Sequence, residues 1–243
     1  MRYFAVIKYL GTPFKGFQKQ PQAKTIQGSI ENVLSTILNE EIVIYGSGRT
    51  DAGVHALGQT IHFNTSKTIE DLNKFKYSVN KMFKREILFL SLKEVDENFH
   101  ARLSAKEKTY RYIINYGEDN PLKANLFYFY PKDFDLRLMK KTLKLFVGEH
   151  NFQNFTTKDE DFQNFIRHIK KAKIKRVNKT LHIEITSNGF MTYMMRMIVG
   201  LLIEVSLKRL SYESVVALFN TSTRQVVNYK APPEGLYLVK VKY

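Results

Sequence analysis

The alternation of two hydrophobic periods is the feature that most constrains how this chain folds. Segments of period two, typical of half-buried strands, arrive in pairs, and single segments with apolar residues at helical spacing separate the pairs. Strands that follow each other without a helical crossover pair antiparallel, whereas parallel pairs need a long crossover. The order therefore predicts an α+β fold, with helices flanking a mostly antiparallel sheet, and disfavours a parallel wound sheet.

The first half of the chain is predicted to begin with the order strand, helix, strand, loop, strand. Thr25 and Thr68 are the candidate N-caps of the two predicted helices in this half. A buried strand is predicted over residues 41–46 and a returning strand over residues 59–65, with a glycine-rich loop at residues 46–56 between them.

The second half repeats the mixture of strands and helices. It is predicted to contain helices over residues 135–148, 191–207 and 211–220, a hairpin of strands 167–177 and 181–189 that turns near Asn178, and a closing strand over residues 235–243. The similar order suggests two related ferredoxin-like subdomains that share one central sheet. The segment 117–133, which contains two prolines, is the predicted boundary, so the subdomains are expected at 1–116 and 117–243.

Composition narrows the possible functions. The chain of 243 residues contains no cysteine, which excludes disulfides, thiolate zinc sites and thiol nucleophiles. Lysine and arginine exceed aspartate and glutamate by 38 to 23, a formal net charge of +15. Such an excess favours a polyanionic partner such as nucleic acid, although a solvated basic surface is the alternative interpretation. Because the charge is spread along the chain, a basic surface is expected and not a basic tail.

No targeting or membrane-spanning segment is expected. The N-terminal stretch alternates like a strand and carries Arg2 and Lys8, unlike the apolar core of a signal peptide. The most apolar stretch, residues 191–205, is interrupted by Arg196 and is short for a membrane span. We therefore expect a cytoplasmic protein.

The glycine-rich loop "GSGRTDAGVHA", residues 46–56, fits none of the common ligand-binding motifs. Asp51 stands where a dinucleotide fingerprint needs glycine or alanine, and a carboxylate there repels pyrophosphate. The chain has no phosphate-binding P-loop, no Gly-x-Ser-x-Gly elbow, and no metal-ligand spacing around His55 and His62. No second acid lies near Asp51 in the sequence, so paired-carboxylate chemistry lacks support. The residues therefore predict no cofactor and no metal.

Asp51 remains as a lone acid two residues after Arg49. One interpretation is a turn aspartate that accepts hydrogen bonds from its own backbone, as aspartate often does among glycines. The other is a loop that presents a carboxylate to a ligand, since the flanking glycines permit close approach of the backbone. The loop alone leaves both interpretations open.

Arg196 and two tyrosines favour the second interpretation. Arg196 lies in a predicted helix that is apolar nearly all round, so its guanidinium must reach solvent, bind phosphate or pair with a buried carboxylate such as Asp51. Tyr110 and Tyr112 alternate on a predicted strand among Arg111 and neighbouring cations. Aromatic rings among cations suit stacking on splayed RNA bases, although ordinary core tyrosines give the same pattern.

Several blocks along the whole chain resemble the TruA-type tRNA pseudouridine synthases. The most specific is "GSGRTDAGVHALGQTIHF", which is similar to the family's signature loop G-R-T-D-A/K-G-V-H. The blocks "YLGTPFKGFQKQP", "FHARLSAKEKTYRYII", "FMTYMMRMIVGLLIEV" and "APPEGLYLVKVKY" resemble further family blocks in the same order. The resemblance implies the pseudouridine synthase fold, with the catalytic loop in the first subdomain and the second subdomain completing the active-site cleft.

The resemblance also implies roles for individual residues. Asp51 matches the catalytic aspartate, Arg196 matches the arginine that pairs with it, and Arg49 matches a loop arginine that holds the flipped nucleotide. Tyr110 matches the tyrosine that stacks on the target uracil. The implied activity is isomerisation of uridine to pseudouridine in the anticodon stem-loop of tRNA, at positions 38 to 40, by a homodimer without a cofactor.

The chain departs from the family pattern at Leu10, Phe17, Tyr193, Met197 and Ser206, none of which carries an implied catalytic role. The departures leave open a related enzyme that acts on other RNA uridines. A non-catalytic RNA-binding protein on the same fold is the alternative from another class, and a basic DNA-binding protein is a third.

Overall fold

The computed structural model describes residues 1–157, 164–221 and 223–243. Its strands are β1 Arg2–Tyr9, β2 Ile44–Gly46, β3 His55–Asn64, β4 Ile87–Val95, β5 Glu107–Asn115, β6 Tyr128–Phe129, β7 Gly148–Asn151, β8 Ile166–Val177, β9 Thr180–Ser187 and β10 Leu236–Lys242. Its α-helices are α1 Ile26–Leu38, α2 Leu72–Met82, α3 Leu136–Lys144, α4 Met194–Ser206 and α5 Tyr212–Asn220. The predicted α+β class, with helices and mostly antiparallel strands, is confirmed.

The described chain divides into two compact units. The first unit comprises Met1–Lys106 and Tyr237–Tyr243, and the second comprises Glu107–Leu236. This division assigns β5 to the second unit and most of β10 to the first, unlike the predicted boundaries 1–116 and 117–243. The relationship of the two predicted subdomains stays a prediction.

In the first unit, β1 pairs antiparallel with both β3 and β4, and β2 pairs antiparallel with β3. Strand β10 pairs in parallel with β3 at Tyr237 and Leu238. Helix α1 buries Ile30 and Leu34 completely, as its apolar spacing predicts. The Thr25 side chain accepts a hydrogen bond from the Gly28 amide, so the predicted N-cap of α1 is confirmed.

Four predicted elements begin or end at other residues than expected. Helix α2 begins after Asp71 and not after Thr68, because the Asp71 carboxylate accepts hydrogen bonds from two backbone amides of the first turn. Strand β2 is confined to residues 44–46, and β3 begins at His55, inside the predicted loop. Helix α3 ends at Lys144, and Gly148, with a φ of 113°, begins strand β7 where the pattern predicted continuing helix.

In the second unit, β9 pairs antiparallel with β5 and β8, and β8 pairs antiparallel with β7. The hairpin between β8 and β9 turns at Asn178, as predicted, with a φ of 53°. Helix α4 is buried along nearly its whole length and packs against α3. A Cβ atom on Gly200 of α4 would lie 2.7 Å from the Tyr229 carbonyl oxygen, so glycine allows this close approach of the backbone. No helix in the described residues has the length and apolarity that a membrane crossing requires.

Candidate active site

The loop between β2 and β3 in the first unit contains a tight turn that begins at Asp51. The Val54 amide donates to the Asp51 carbonyl oxygen at 3.2 Å, and Gly53 has a φ of 79° that suits glycine. The loop places Arg49 at the surface and leaves Asp51 half-buried. The backbone of Asp51 is therefore held in a defined turn.

The buried side-chain amide of Gln59 supports the first part of this loop. Gln59 is completely buried in β3, and its Oε1 accepts hydrogen bonds from the Ser47 hydroxyl at 2.6 Å and from the Thr60 amide at 3.0 Å. Its Nε2 donates to the Gly48 carbonyl oxygen at 2.8 Å. Because each of these buried polar groups has a partner, the hydrogen bonds offset the desolvation of the groups and the network stiffens the loop.

A second set of buried contacts holds the residues next to Asp51. The Tyr9 hydroxyl lies 2.8 Å from the Thr50 hydroxyl, and burial raises the pKa of Tyr9 well above its usual range, so the phenol stays neutral. The Gly11 amide donates to Nδ1 of His55 at 3.0 Å, and the His55 ring stacks on Tyr237. Tyr9 and His55 therefore have structural roles in the support of the loop.

The segment from residue 11 to residue 18 packs its backbone directly against the loop. The Phe17 amide donates to the Thr50 carbonyl oxygen at 3.0 Å, and Gly16, with a φ of 96°, has its ideal Cβ position 3.1 Å from the same oxygen. The Arg49 guanidinium donates to Oε1 of Gln18 at 2.6 Å. Sequence reasoning missed Gln18 because no local pattern indicates a contact that spans 31 residues.

In the second unit, Arg196 lies in the first turn of α4 and is only 8% exposed. Its Nε donates to the Ala231 carbonyl oxygen at 2.7 Å, and its own carbonyl oxygen accepts from the Ala231 amide at 3.0 Å. The burial excludes the interpretation that this guanidinium reaches into solvent. The reciprocal pair of hydrogen bonds fixes both the backbone and the side chain of Arg196.

An aromatic ring at the start of α4 lies next to two cations. The Arg196 guanidinium lies 5.3 Å from the centre of the Tyr193 ring, and Nζ of Lys230 lies 4.2 Å from the same centre. Tyr193 has a φ of 61°, which is unusual for a bulky residue and costs conformational energy. The two cation–π contacts offset part of that cost and orient the guanidinium.

The two tyrosines of β5 differ in what they contact. Tyr112 is completely buried, and its hydroxyl donates to the Pro232 carbonyl oxygen at 2.7 Å, so the core interpretation is correct for this residue. Tyr110 is 7% exposed and meets the Phe190 ring edge to face, with ring centres 4.9 Å apart. The stacking of Tyr110 on a uracil stays a prediction.

His62 has a structural environment and not that of a metal ligand. Its Nδ1 accepts from the Ala101 amide at 3.1 Å, and its ring stacks on Tyr45 and meets His100 edge on. Burial, together with the charges of His100 and Arg2, lowers the pKa of His62 to about 4. In the described ranges, no group of three or more histidine, aspartate or glutamate side chains is arranged to hold a metal ion.

This pKa predicts an acid-sensitive stability. Because the unfolded histidine has a pKa of about 6.5, the unfolded chain takes up the proton first as the pH falls towards the folded value of about 4. The free energy of unfolding should therefore drop by about 2 kcal/mol between pH 7 and pH 5 from this group alone. Urea denaturation of the wild type and of His62→Gln at both pH values measures the effect. An equal drop in the two proteins would contradict the assignment.

The predicted site residues are divided between the two units. The first unit holds Arg49 and Asp51 on one anchored loop, and the second unit holds Tyr110 on a strand and Arg196 in a buried helix. A half-buried carboxylate on a fixed loop can act as a nucleophile or as a general base. A buried guanidinium can stabilise an anion.

Comparison with known proteins gives one consistent family. The sequence model of the family described as tRNA pseudouridine synthase matches residues 5–104 and 142–243. The chain is 37% identical over 238 residues to the tRNA pseudouridine synthase A of Caldicellulosiruptor bescii, covering 98% of this chain and 97% of the relative. It is 37% identical over 244 residues to that of a Geobacillus species and 33% identical over 246 residues to that of Streptococcus gordonii, each covering all of this chain and 98% of the relative.

Among solved structures, the crystal structure of a Cbf5-Nop10-Gar1 complex matches 83% of this chain and 54% of that chain, with a TM-score of 0.35 and 12% identity. The similarity between the two chains, in structure and in sequence, is therefore distant.

Proposed function

Because the chain belongs to the tRNA pseudouridine synthase family, we propose that it isomerises uridine to pseudouridine in the anticodon stem-loop of tRNA, at positions 38 to 40. The names of the full-length relatives support tRNA as the substrate. The blocks that resemble the TruA-type enzymes support the anticodon stem-loop. The single observation that carries the proposal is the anchored loop that holds Asp51 beside Arg49.

The reaction needs little more than a positioned carboxylate. It breaks the bond between N1 and C1′, turns the uracil, and joins C5 to C1′, while the hydrogen of C5 leaves as a proton and N1 gains one. Nothing is oxidised and no group is imported. Asp51 either attacks the nucleotide covalently or abstracts a proton from the sugar, and either role requires the carboxylate form of its side chain.

The other site residues have distinct proposed roles. Arg196 partners the Asp51 carboxylate and keeps it charged, and Arg49 holds the flipped nucleotide. Tyr110 stacks on the target uracil. The net charge of +15 attracts the tRNA backbone. The proposed working form is a cytoplasmic homodimer whose two subunits frame one tRNA.

Pseudouridine mapping on unmodified tRNA transcripts tests the proposal. The purified chain should convert uridines at positions 38 to 40 and leave unchanged a matched transcript with cytidine at those positions. Pseudouridine at other positions only would favour the related enzyme that acts on different RNA uridines. Tight tRNA binding without any pseudouridine would favour the non-catalytic RNA-binding protein.

A further inference from the structure

One face of the sheet in the second unit carries a cluster of cations outside the proposed catalytic residues. The alternation of β9 buries Ile183 and Ile185 on one face and turns His182 and Glu184 to the other. The strand register places Arg111 opposite Glu184, and Glu184 opposite Lys173. We call this surface the basic sheet face, and it comprises Arg111, Lys171, Lys173, Lys175, His182 and Glu184.

The basic sheet face contains a solvent-open depression of about 140 Å³. Its lining includes Arg111, Lys173, Lys175 and His182. A cavity needs about 10 to 15 Å³ of volume measured in this way to hold one water molecule, so the depression has room for a phosphate group with accompanying water. Because neighbouring side chains alternate across a strand, Arg111 faces away from the buried Tyr110 and Tyr112 of the same strand.

The charges on this face do not cancel. The Glu184 carboxylate accepts a hydrogen bond from Arg111 at 2.9 Å and one from Lys173 at 2.6 Å, so one carboxylate forms ion pairs with two cations. Burial acts to raise the pKa of Glu184, but these two partners lower it below its usual range, so the group is ionised. Burial and the charge of Arg111 lower the pKa of His182, so this ring adds no charge at neutral pH. Among the six residues of the basic sheet face, four cations therefore accompany one anion, and the neighbouring ion pair of Lys170 and Glu107 adds no net charge.

The spacing of the lysines also suits a nucleic acid backbone. Lys171, Lys173 and Lys175 share this face of β8 at alternate positions, so their Cα atoms follow one another at about 6.7 Å. That interval is close to the separation of adjacent phosphates along a nucleic acid strand. Lysine contacts phosphate as a mobile point charge, which suits recognition of shape without base reading.

We propose that the basic sheet face binds backbone phosphates of the tRNA substrate and forms a second contact, on residues other than those that act on the target uridine. The proposal rests on the proposed function for the identity of the RNA. Lys175 contributes attraction directly, whereas Glu184 weakens the attraction by neutralising Arg111 and Lys173. The carboxylate thereby limits the affinity and favours release of the modified product.

Opposite charge changes on this face should shift tRNA affinity in opposite directions. Lys175→Glu should raise the Kd for tRNA about 5- to 10-fold at low salt and reduce the slope of log Kd against log salt by about one. Glu184→Gln keeps an acceptor for both cations and should lower the Kd about 2- to 3-fold. Lys140→Glu, at an exposed position of α3, makes the same charge change elsewhere and should have little effect.

Fluorescence anisotropy with labelled tRNA measures these affinities without requiring catalysis, and the same variants are then assayed for turnover at saturating tRNA. The proposal expects Lys140→Glu to keep the wild-type turnover, whereas the two variants of the basic sheet face should change the tRNA concentration needed for half-maximal rate in the same direction as their Kd. Equal effects of Lys175→Glu and Lys140→Glu would overturn it, because net charge would then explain both. A Lys175→Glu variant that alters only the sedimentation coefficient would overturn it in favour of contact with a second copy. Absence of pseudouridine in the wild type would instead overturn the proposed function and leave the affinity comparison intact.

Discussion

Asp51→Ala should lower pseudouridine formation by about 10⁴-fold or more, the range seen when an essential catalytic group is removed. Asp51 supplies the only carboxylate that we assign to the chemical step, and the hydroxyl and amide contacts beneath the loop cannot replace its charge. Because Asp51 is half-buried and its loop is held by Gln59 and Tyr9, the fold should survive the change. Single-turnover conversion of a tRNA transcript measures the loss.

Two matched variants separate catalysis from folding and binding. Asp51→Asn keeps the shape of the side chain and should be as inactive as Asp51→Ala, since the charge is what the reaction needs. Asp119→Ala removes an acid from the exposed segment before β6 and should keep full activity. All three variants should bind tRNA within about threefold of the wild type, because no phosphate contact is lost. Activity retained in purified Asp51→Ala would rule out the assigned role.

Arg196→Met should lower turnover by about 10²- to 10³-fold with a much smaller change in tRNA affinity. The guanidinium is only 8% exposed and is fixed to Ala231, so it is poorly placed to follow a mobile phosphate backbone. Methionine fits the apolar surroundings of α4. Its cost in stability is the loss of the hydrogen bond to the Ala231 carbonyl oxygen, about 1 to 3 kcal/mol for a buried acceptor.

Arg196→Lys provides the conservative comparison. Lysine keeps the positive charge but lacks the planar fork that both reaches Ala231 and lies against Tyr193. It should therefore recover part of the turnover that Arg196→Met loses. A fall in affinity with unchanged turnover in both variants would place Arg196 on tRNA phosphates and contradict its proposed role as the partner of Asp51.

Local sequence signals predict much of the fold, but they do not reliably predict the residue at which a helix begins. The apolar repeat of α1 begins directly after Thr25 and so predicts its cap correctly. The same kind of pattern predicts Thr68 as the cap of α2, which is wrong, because the carboxylate of Asp71 makes the two capping hydrogen bonds. Periodicity locates a helix well, but the competition between neighbouring capping residues depends on geometry that a sequence does not contain.

The burial of Arg196 was predictable because the surrounding helix has almost no polar face. Its partner Ala231 was not, because the hydrogen bond spans 35 residues and uses a backbone carbonyl that any residue could supply. The same holds for Thr50 and Tyr9, which lie 41 residues apart. Long-range contacts of this kind determine how rigid the site is, and no local pattern encodes them.

The tyrosines of β5 illustrate a different limit of prediction from the sequence. Alternation correctly placed Tyr110 and Tyr112 on one face, but the same alternation describes a core residue and a stacking platform. Only the contact of Tyr112 with Pro232 shows that this ring belongs to the core. The basic sheet face escaped prediction for a related reason, because its cations come from two strands, β5 and β8, whose register with β9 is set by the folded sheet.

Release of the C5 hydrogen is the most direct test of the central claim, because uridine loses that hydrogen when C5 becomes bonded to C1′. Transfer RNA carrying tritium at C5 of its uridines is incubated with the wild type and with Asp51→Asn, and the tritium that enters water is counted. The account predicts that the wild type releases one tritium for each uridine converted and that Asp51→Asn releases none above background. No release by the folded wild type, or equal release by Asp51→Asn, would contradict it.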